Sequence, residues 1–169
     1  MQFTVGDRVV VPKRGFGQII GMEQLDVVEG FERYYVIEIP DQALIVHIPV
    51  RKMDELGVRP VMSSDKLACV LDTLRATPSP LSEDHKQRQA GIREKLETGG
   101  PIRIAETLRD LTWRERRERL TQTDNDLLSK GREFLAAEIA LVNDTEVADA
   151  KRAIDSALMV VAASEPSQQ

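Results

Sequence analysis

The chain has 169 residues, of which 30% are charged and 41% hydrophobic, and its formal net charge is −5. That length holds one large domain or two small ones, and the single cysteine, Cys69, excludes an internal disulfide framework and a cysteine-based zinc site. No apolar run reaches the roughly 20 residues of a membrane span, and MQFTVGD carries no basic-then-apolar signal, so a cytoplasmic protein is expected.

The first sixty residues read as short β-branched and aromatic runs broken by Gly, Pro and Asp. Gly6-Asp7 signals a turn, and Arg8 to Val11 follows as a strand that stops at Pro12. Gly15 and Gly17 flank Phe16 in an expected tight reversal, and Gln18 to Leu25 is the next strand, with Gly21 as a bulge. Glu29-Gly30 turns into Arg33–Ile39, Pro40-Asp41 turns again, and Ala43–Ile48 closes at Pro49. Four such strands predict a small SH3/Tudor-like antiparallel β-barrel over residues 1–60.

A strand that ends in proline belongs at a sheet edge, where free backbone groups can pair with another protein's strand. That edge falls on Leu44, Ile45, Val46, His47, Ile48 and Pro49. His47 reads either as an outward handle or as an ordinary solvent-facing residue of an alternating strand. Phe16, Tyr34 and Tyr35 read as a recognition cluster or as core.

From Ser63 onward the pattern is helical. Ser63-Ser64-Asp65 starts a helix with Leu67, Val70, Leu71 and Leu74 on one face. Ala76-Thr-Pro-Ser-Pro80 breaks it, and a second helix is expected from Ser82 to Glu97, ended by Gly99-Gly100. Pro101 opens a third, carrying Ile104, Ala105, Leu108, Leu111 and Thr112 and ending in WRERRER, residues 113–119. That basic end reads as a solvated face that suits the helix dipole, or as a phosphate patch. Thr123 with Asp126 suggests a capping box for a fourth helix to Val142, and Asn143 or Asp144 a cap for a fifth, carrying Val147, Ala150, Ile154, Ala157, Leu158 and Val161. Leu127, Phe134 and Leu141 stand seven apart, which a zipper or an intramolecular bundle explains equally. The expected chain is thus α+β in two domains: 1–60, an all-α helical bundle over 61–163, and a flexible tail over 164–169.

The charge follows these divisions. Residues 1–60 carry 7 basic and 9 acidic side chains, residues 61–123 carry 12 and 10, and residues 124–169 carry 4 and 9. No part is decisively basic, as an autonomous nucleic-acid binder would be. The chain also lacks a phosphate-binding loop, a GxGxxG after a strand and an HExxH, and its two histidines, His47 and His85, sit in different modules. An enzyme, a cofactor and a metal are therefore not expected.

The ordered segments VGDRVVVPKRGFGQI, YYVIEIP, IPVRKMDELGVRPV, IAETLRDL and LLSKGREFLAAEIAL together resemble the CarD/CdnL family of bacterial transcription regulators, collinearly over about residues 2–160. The barrel also resembles the polymerase-interacting domain of transcription-repair coupling factors. The resemblance implies docking on the RNA polymerase β subunit by strand pairing, and nothing in the chain requires more than a monomer. Its helical domain would meet promoter DNA at the upstream edge of the bubble and favour the open complex. Family members typically have an arginine in the last barrel strand, where this chain has His47, and a tryptophan wedge at the start of the second helix, where it has His85. The implied DNA contacts are His85, Lys86, Arg88, Lys130 and Arg132. An adaptor that docks on polymerase with little DNA contact is the alternative.

Overall fold

A computed structural model describes residues 2–98 and 100–164, with side chains through residue 160. Gly99, the Val161 side chain and residues 165–169 of the expected tail lie outside the described residues. The chain divides into two units at the Val61–Met62 bond.

The first unit is an antiparallel sheet of β1 (Arg8–Val11), β2 (Gly15–Val28), β3 (Phe31–Ile39), β4 (Leu44–Pro49) and β5 (Arg59–Pro60), in the order β4-β3-β2-β1-β5. The α+β architecture is as expected, but the sheet is open: β4 and β5 are its two ends. β5 escapes a sequence reading because it is only two residues of ladder against Val9 and Val10. β2 pairs with β1 through its first residues and with β3 from Gln18 onward, so one long strand serves both halves. The register slips between Ile19 and Gly21, a bulge where one was expected, and such bulges sharpen strand twist. Val9, Val11, Ile19, Tyr35, Ile37, Ile39 and Ile48 fill the core beneath the sheet. Tyr35 is core with its hydroxyl bridging the Phe3 backbone, Tyr34 is also buried, and Phe16 is half-buried, so the three form no open aromatic cluster.

The reversal expected at Gly15–Gly17 lies earlier. Lys13 takes the left-handed conformation (φ 65°) and Arg14 N donates to Val11 O at 3.0 Å. Gly17 is already a strand residue, opposite Val9. A Cβ there would meet Ile37 Cγ2 at 2.7 Å and Glu38 O at 3.0 Å, so its missing side chain permits close approach of β3.

The second unit comprises α1 (Ser64–Arg75), α2 (His85–Thr98), α3 (Pro101–Arg117), α4 (Gln122–Asn143) and α5 (Val147–Ser164). The apolar stripes of α1, α3, α4 and α5 converge on one core around Val70, Leu74, Ile104, Leu108, Leu135, Ile139 and Ile154. The Leu127–Phe134–Leu141 spacing serves this intramolecular bundle only in part, since Leu127 is buried and the other two are half-exposed. The buried carboxylate of Glu138, on α4, accepts the Met62 N–H at 3.0 Å and so holds the first residue of this unit. Three helix boundaries differ from expectation. α2 begins at His85, because Asp84 rather than Ser82 accepts the Gln87 amide. The capping box of α4 is Thr121 with Asp124, two residues ahead of the expected Thr123–Asp126. Asp144 ends α4 in a left-handed turn (φ 53°) instead of opening α5.

We expect Gly17→Ala to destabilise the first unit by about 1–3 kcal/mol, because the new methyl would press on β3. Gly21→Ala should be close to neutral, since nothing lies within 4 Å of a Cβ there. Chemical denaturation of both variants checks the contrast; equal losses would show that strand propensity, not close approach, governs the pair.

Candidate protein-docking edge and nucleic-acid interface

Among the described residues β4 pairs only with β3, from Tyr34↔Pro49 to Ile39↔Leu44, so its other flank carries no ladder. The strand alternates. Leu44, Val46 and Ile48 pack on the core, while Ile45 (55% exposed) and His47 point outward. Pro49, half-buried, ends the ladder and offers no N–H. His47 Nε2 lies 3.2 Å from Glu23 Oε2. The carboxylate can only accept, so Nε2 carries the proton in this contact. Glu23 is on β2, so the pair reaches across β3, where Val36 stands opposite both His47 and Gly21.

The second site is assembled at the start of α2. The segment before the helix is tied along α3: Ser79 N donates to the buried Asp110 carboxylate at 2.9 Å, and Arg114 pairs with Glu83 at 3.4 Å. Asp84 then caps α2, accepting the Gln87 amide at 2.9 Å. That hydrogen bond holds the Asp84 carboxyl below its ordinary range against the opposing effect of burial, with the Lys86 amide and the nearby Arg88 charge adding to it. His85 and Lys86 are exposed on this first turn.

Arg88 does not join them. It is 5% exposed, its Nε and Nη2 donate to the two carboxylate oxygens of Asp124 at 3.2 and 2.8 Å, and its Nη1 donates to the Ser82 carbonyl at 3.0 Å. Such bidentate pairs are strong and geometrically exacting. A guanidinium enclosed this way cannot reach a phosphate, so the DNA-contact role expected of Arg88 gives way to a structural one. Gln89 joins the same cluster, donating to Thr121 Oγ1 at 3.1 Å. Asp124 is fully buried and also accepts the Thr121 amide, completing the cap of α4. Burial alone would raise its pKa, but hydrogen bonds from Arg88 and from Thr121 outweigh that and hold it below the ordinary value.

The Arg88–Asp124 pair and the close approach of Leu96 to Gly131 make α2 and α4 run in the same direction, with both N-termini at one end. His85 and Lys86 stand at that end. Lys130 is exposed farther along α4. Arg132 is engaged by Asp155 of α5, with Nε to Oδ1 at 2.9 Å, which raises its already high pKa. The structure therefore groups His85 and Lys86, sets Lys130 apart, and commits Arg88 and Arg132 to carboxylates. At the end of α3, Arg117 stacks over Trp113 at 4.5 Å and Arg114 bridges Glu83 and Glu118, so the basic run is largely paired. Asp124, Gln89 and Glu138 were not singled out from sequence. The Thr121-x-x-Asp124 spacing was the one available signal. Among the described residues no group of His, Cys, Asp and Glu could hold a metal ion, and no helix is long and apolar enough to cross a membrane.

Both units have counterparts among known families. Residues 3–62 match the CarD-like/TRCF RID domain and residues 69–155 match the CarD C-terminal domain. A five-stranded antiparallel sheet followed by five helices, matched in that order to the two family models, defines a transcription regulator of two modules. The chain belongs to the CarD family. It is also 29% identical over 140 residues to a protein of Bacillus subtilis (strain 168) described as putative transcription factor YdeB, across 83% of this chain and 92% of that one.

Asp124 gives a pH prediction. Its carboxyl lies below the ordinary 3.8 when folded, so its ionised form stabilises the fold above that value, and the contribution is lost as pH falls through the lower folded value. Urea unfolding of the intact chain between about pH 5 and pH 2 should show a steeper loss for wild type than for Asp124→Asn. Identical slopes would mean the carboxylate is not stabilised by folding. At neutral pH, Asp124→Ala should cost about 3–5 kcal/mol by stranding a buried guanidinium. Asp155→Ala, which removes an exposed partner of Arg132, should cost about 0–1 kcal/mol in the same assay.

Proposed function

We propose that this protein docks on the β subunit of RNA polymerase through the β4 edge and stabilises the promoter open complex through contacts of its helical unit at the upstream edge of the bubble. The observation that carries the reading is the unpaired flank of β4, with Ile45 and His47 directed outward beside it. Backbone pairing supplies affinity at such an edge, and outward side chains supply specificity. Membership of the CarD family and the RID match over the whole first unit support the choice of partner. His85 and Lys86, exposed where the helix start is tied down by Asp84 and Glu83, are the side chains assigned to DNA, with Lys130 as a more distant phosphate contact. Tethering raises the local concentration at the promoter, so weak contacts suffice without a basic surface. The protein acts as a monomer in the cytoplasm, wherever polymerase is.

The burial of Arg88 and the pairing of Arg132 favour one second reading: an adaptor that binds polymerase with little DNA contact of its own. The decisive assay measures affinity of the intact chain for the polymerase β lobe and, separately, the lifetime of open complexes. Val46→Pro breaks the strand that forms the edge and should abolish β-lobe binding, whereas a doubly substituted His85→Ala, Lys86→Ala chain should bind normally and shorten the open-complex lifetime. Full lifetime in the double variant would select the adaptor, and binding by Val46→Pro would remove the docking edge altogether. His47→Arg should tighten β-lobe binding, because a permanently charged guanidinium with five donors in a fixed fork replaces the imidazole. A titration without gain would show that His47 faces no acidic group of the partner.

A further inference from the structure

α2 is an unusual helix to carry a contact surface. Its sequence, HKQRQAGIREKLET, offers one fully buried apolar side chain, Ile92, with Leu96 partly buried; its other buried residues are Arg88 and Gln89. α1, α3, α4 and α5 all place several aliphatic side chains in the main core. The N-terminal half of α2 is thus seated on polar groups. The Arg88 fork holds both oxygens of Asp124 at the first turn of α4. Its remaining arm holds the carbonyls of Ser82 at 3.0 Å and Glu83 at 3.4 Å, the residues that lead into α2. Gln89 adds Thr121 and Asp124. One side chain thereby ties the segment before the helix, the helix itself and the start of α4.

We infer that Arg88 and Asp124 are positioning residues: their buried pair seats the start of α2 on the start of α4 and fixes where His85 and Lys86 are presented. The inference rests on the reading that these two side chains meet promoter DNA. It differs from a direct role for Arg88 in a way charge alone reveals. If Arg88 touched a phosphate, removing Asp124 would free the cation and strengthen binding. If it positions α2, removing either partner has the same consequence, and removing both is no worse than removing one, since the pair acts as a unit. A lost phosphate contact also lowers the dependence of log affinity on log salt by about one, whereas a misplaced helix lowers affinity without that change.

The test uses the intact chain, with Arg88→Ala, Asp124→Ala, the double variant, and the milder Arg88→Lys and Asp124→Asn should the alanine forms fold poorly. Hydrogen exchange of the free protein reads the seat, binding to forked promoter DNA across a salt series reads the contact, and β-lobe affinity is the control. Expected are faster exchange over residues 82–98 in every variant, joined by the first turn of α4 where Asp124 is replaced, a shared loss of DNA affinity at unchanged salt slope, no rescue by Arg88→Lys, and unaltered β-lobe affinity. A gain of DNA affinity in Asp124→Ala, or a reduced salt slope in Arg88→Ala alone, would make Arg88 a direct contact and overturn the inference. Unchanged exchange in both single variants would overturn the seating role itself while leaving the DNA reading intact. Selective exchange in a protein whose wild type shows no affinity for the forked DNA would instead overturn the DNA reading, and the positioning role with it.

Discussion

The carboxylate of Asp124 is buried completely, and three demands meet on it. It closes the cap of α4, receives the Arg88 fork and stands within reach of Gln89. Removing a carboxylate and a guanidinium from water is costly, and the geometry must be good to offset it; replacing such pairs by packed hydrocarbon often leaves stability unchanged. What the pair supplies that hydrocarbon would not is direction. An apolar helix face can slide or rotate on its neighbour at small cost, whereas a fork gripping two oxygens permits one register. The amphipathic helices α1, α3, α4 and α5 are held by the core, and α2 is aligned by this cluster.

The first unit faces a different constraint. An edge strand exposes donors and acceptors that any passing strand could use, and proteins blunt such edges with charge, proline and short length. β4 uses proline and a polar pairing: it ends in Pro49 and carries His47 hydrogen-bonded to Glu23 on its outer face. Ile45 is its one large exposed apolar side chain. The edge is therefore open to pairing but protected against indiscriminate use, as the proposed docking role requires.

The strands and most helices were legible because their signals are local: β-branched runs ended by Gly and Pro in the first unit, and aliphatic repeats at helical spacing in the second. Whatever depended on a distant partner was not. Gly17 and Gly21 look alike in sequence, yet only Gly17 faces a crowding neighbour, Ile37, which arrives from another strand. Thr121-x-x-Asp124 and Thr123-x-x-Asp126 are equivalent capping boxes on paper; the structure uses the first, the one whose acid also meets Arg88, thirty-six residues away. By the same blindness, Arg88 read as one more surface cation among Lys86 and its neighbours. A charge count cannot separate an arginine committed to a buried carboxylate from one that faces solvent, and this distinction changes the candidate DNA site most. His85 and Lys86 needed only the helix start to be placed, and a shift of the helix boundary left them exposed.

The bond from Met62 N–H to Glu138 has a mechanical meaning. Glu138 lies well inside α4, whose neighbouring residues Leu135 and Ile139 are embedded in the main core, and Met62 itself is buried there. A pull arriving at Met62 is therefore shared with the C-terminal third of the longest helix before it reaches the capped start of α1. The first residue of the helical unit is thereby anchored twice, by its own burial and by a carboxylate of a helix far along the chain, so the start of α1 does not depend on its cap alone.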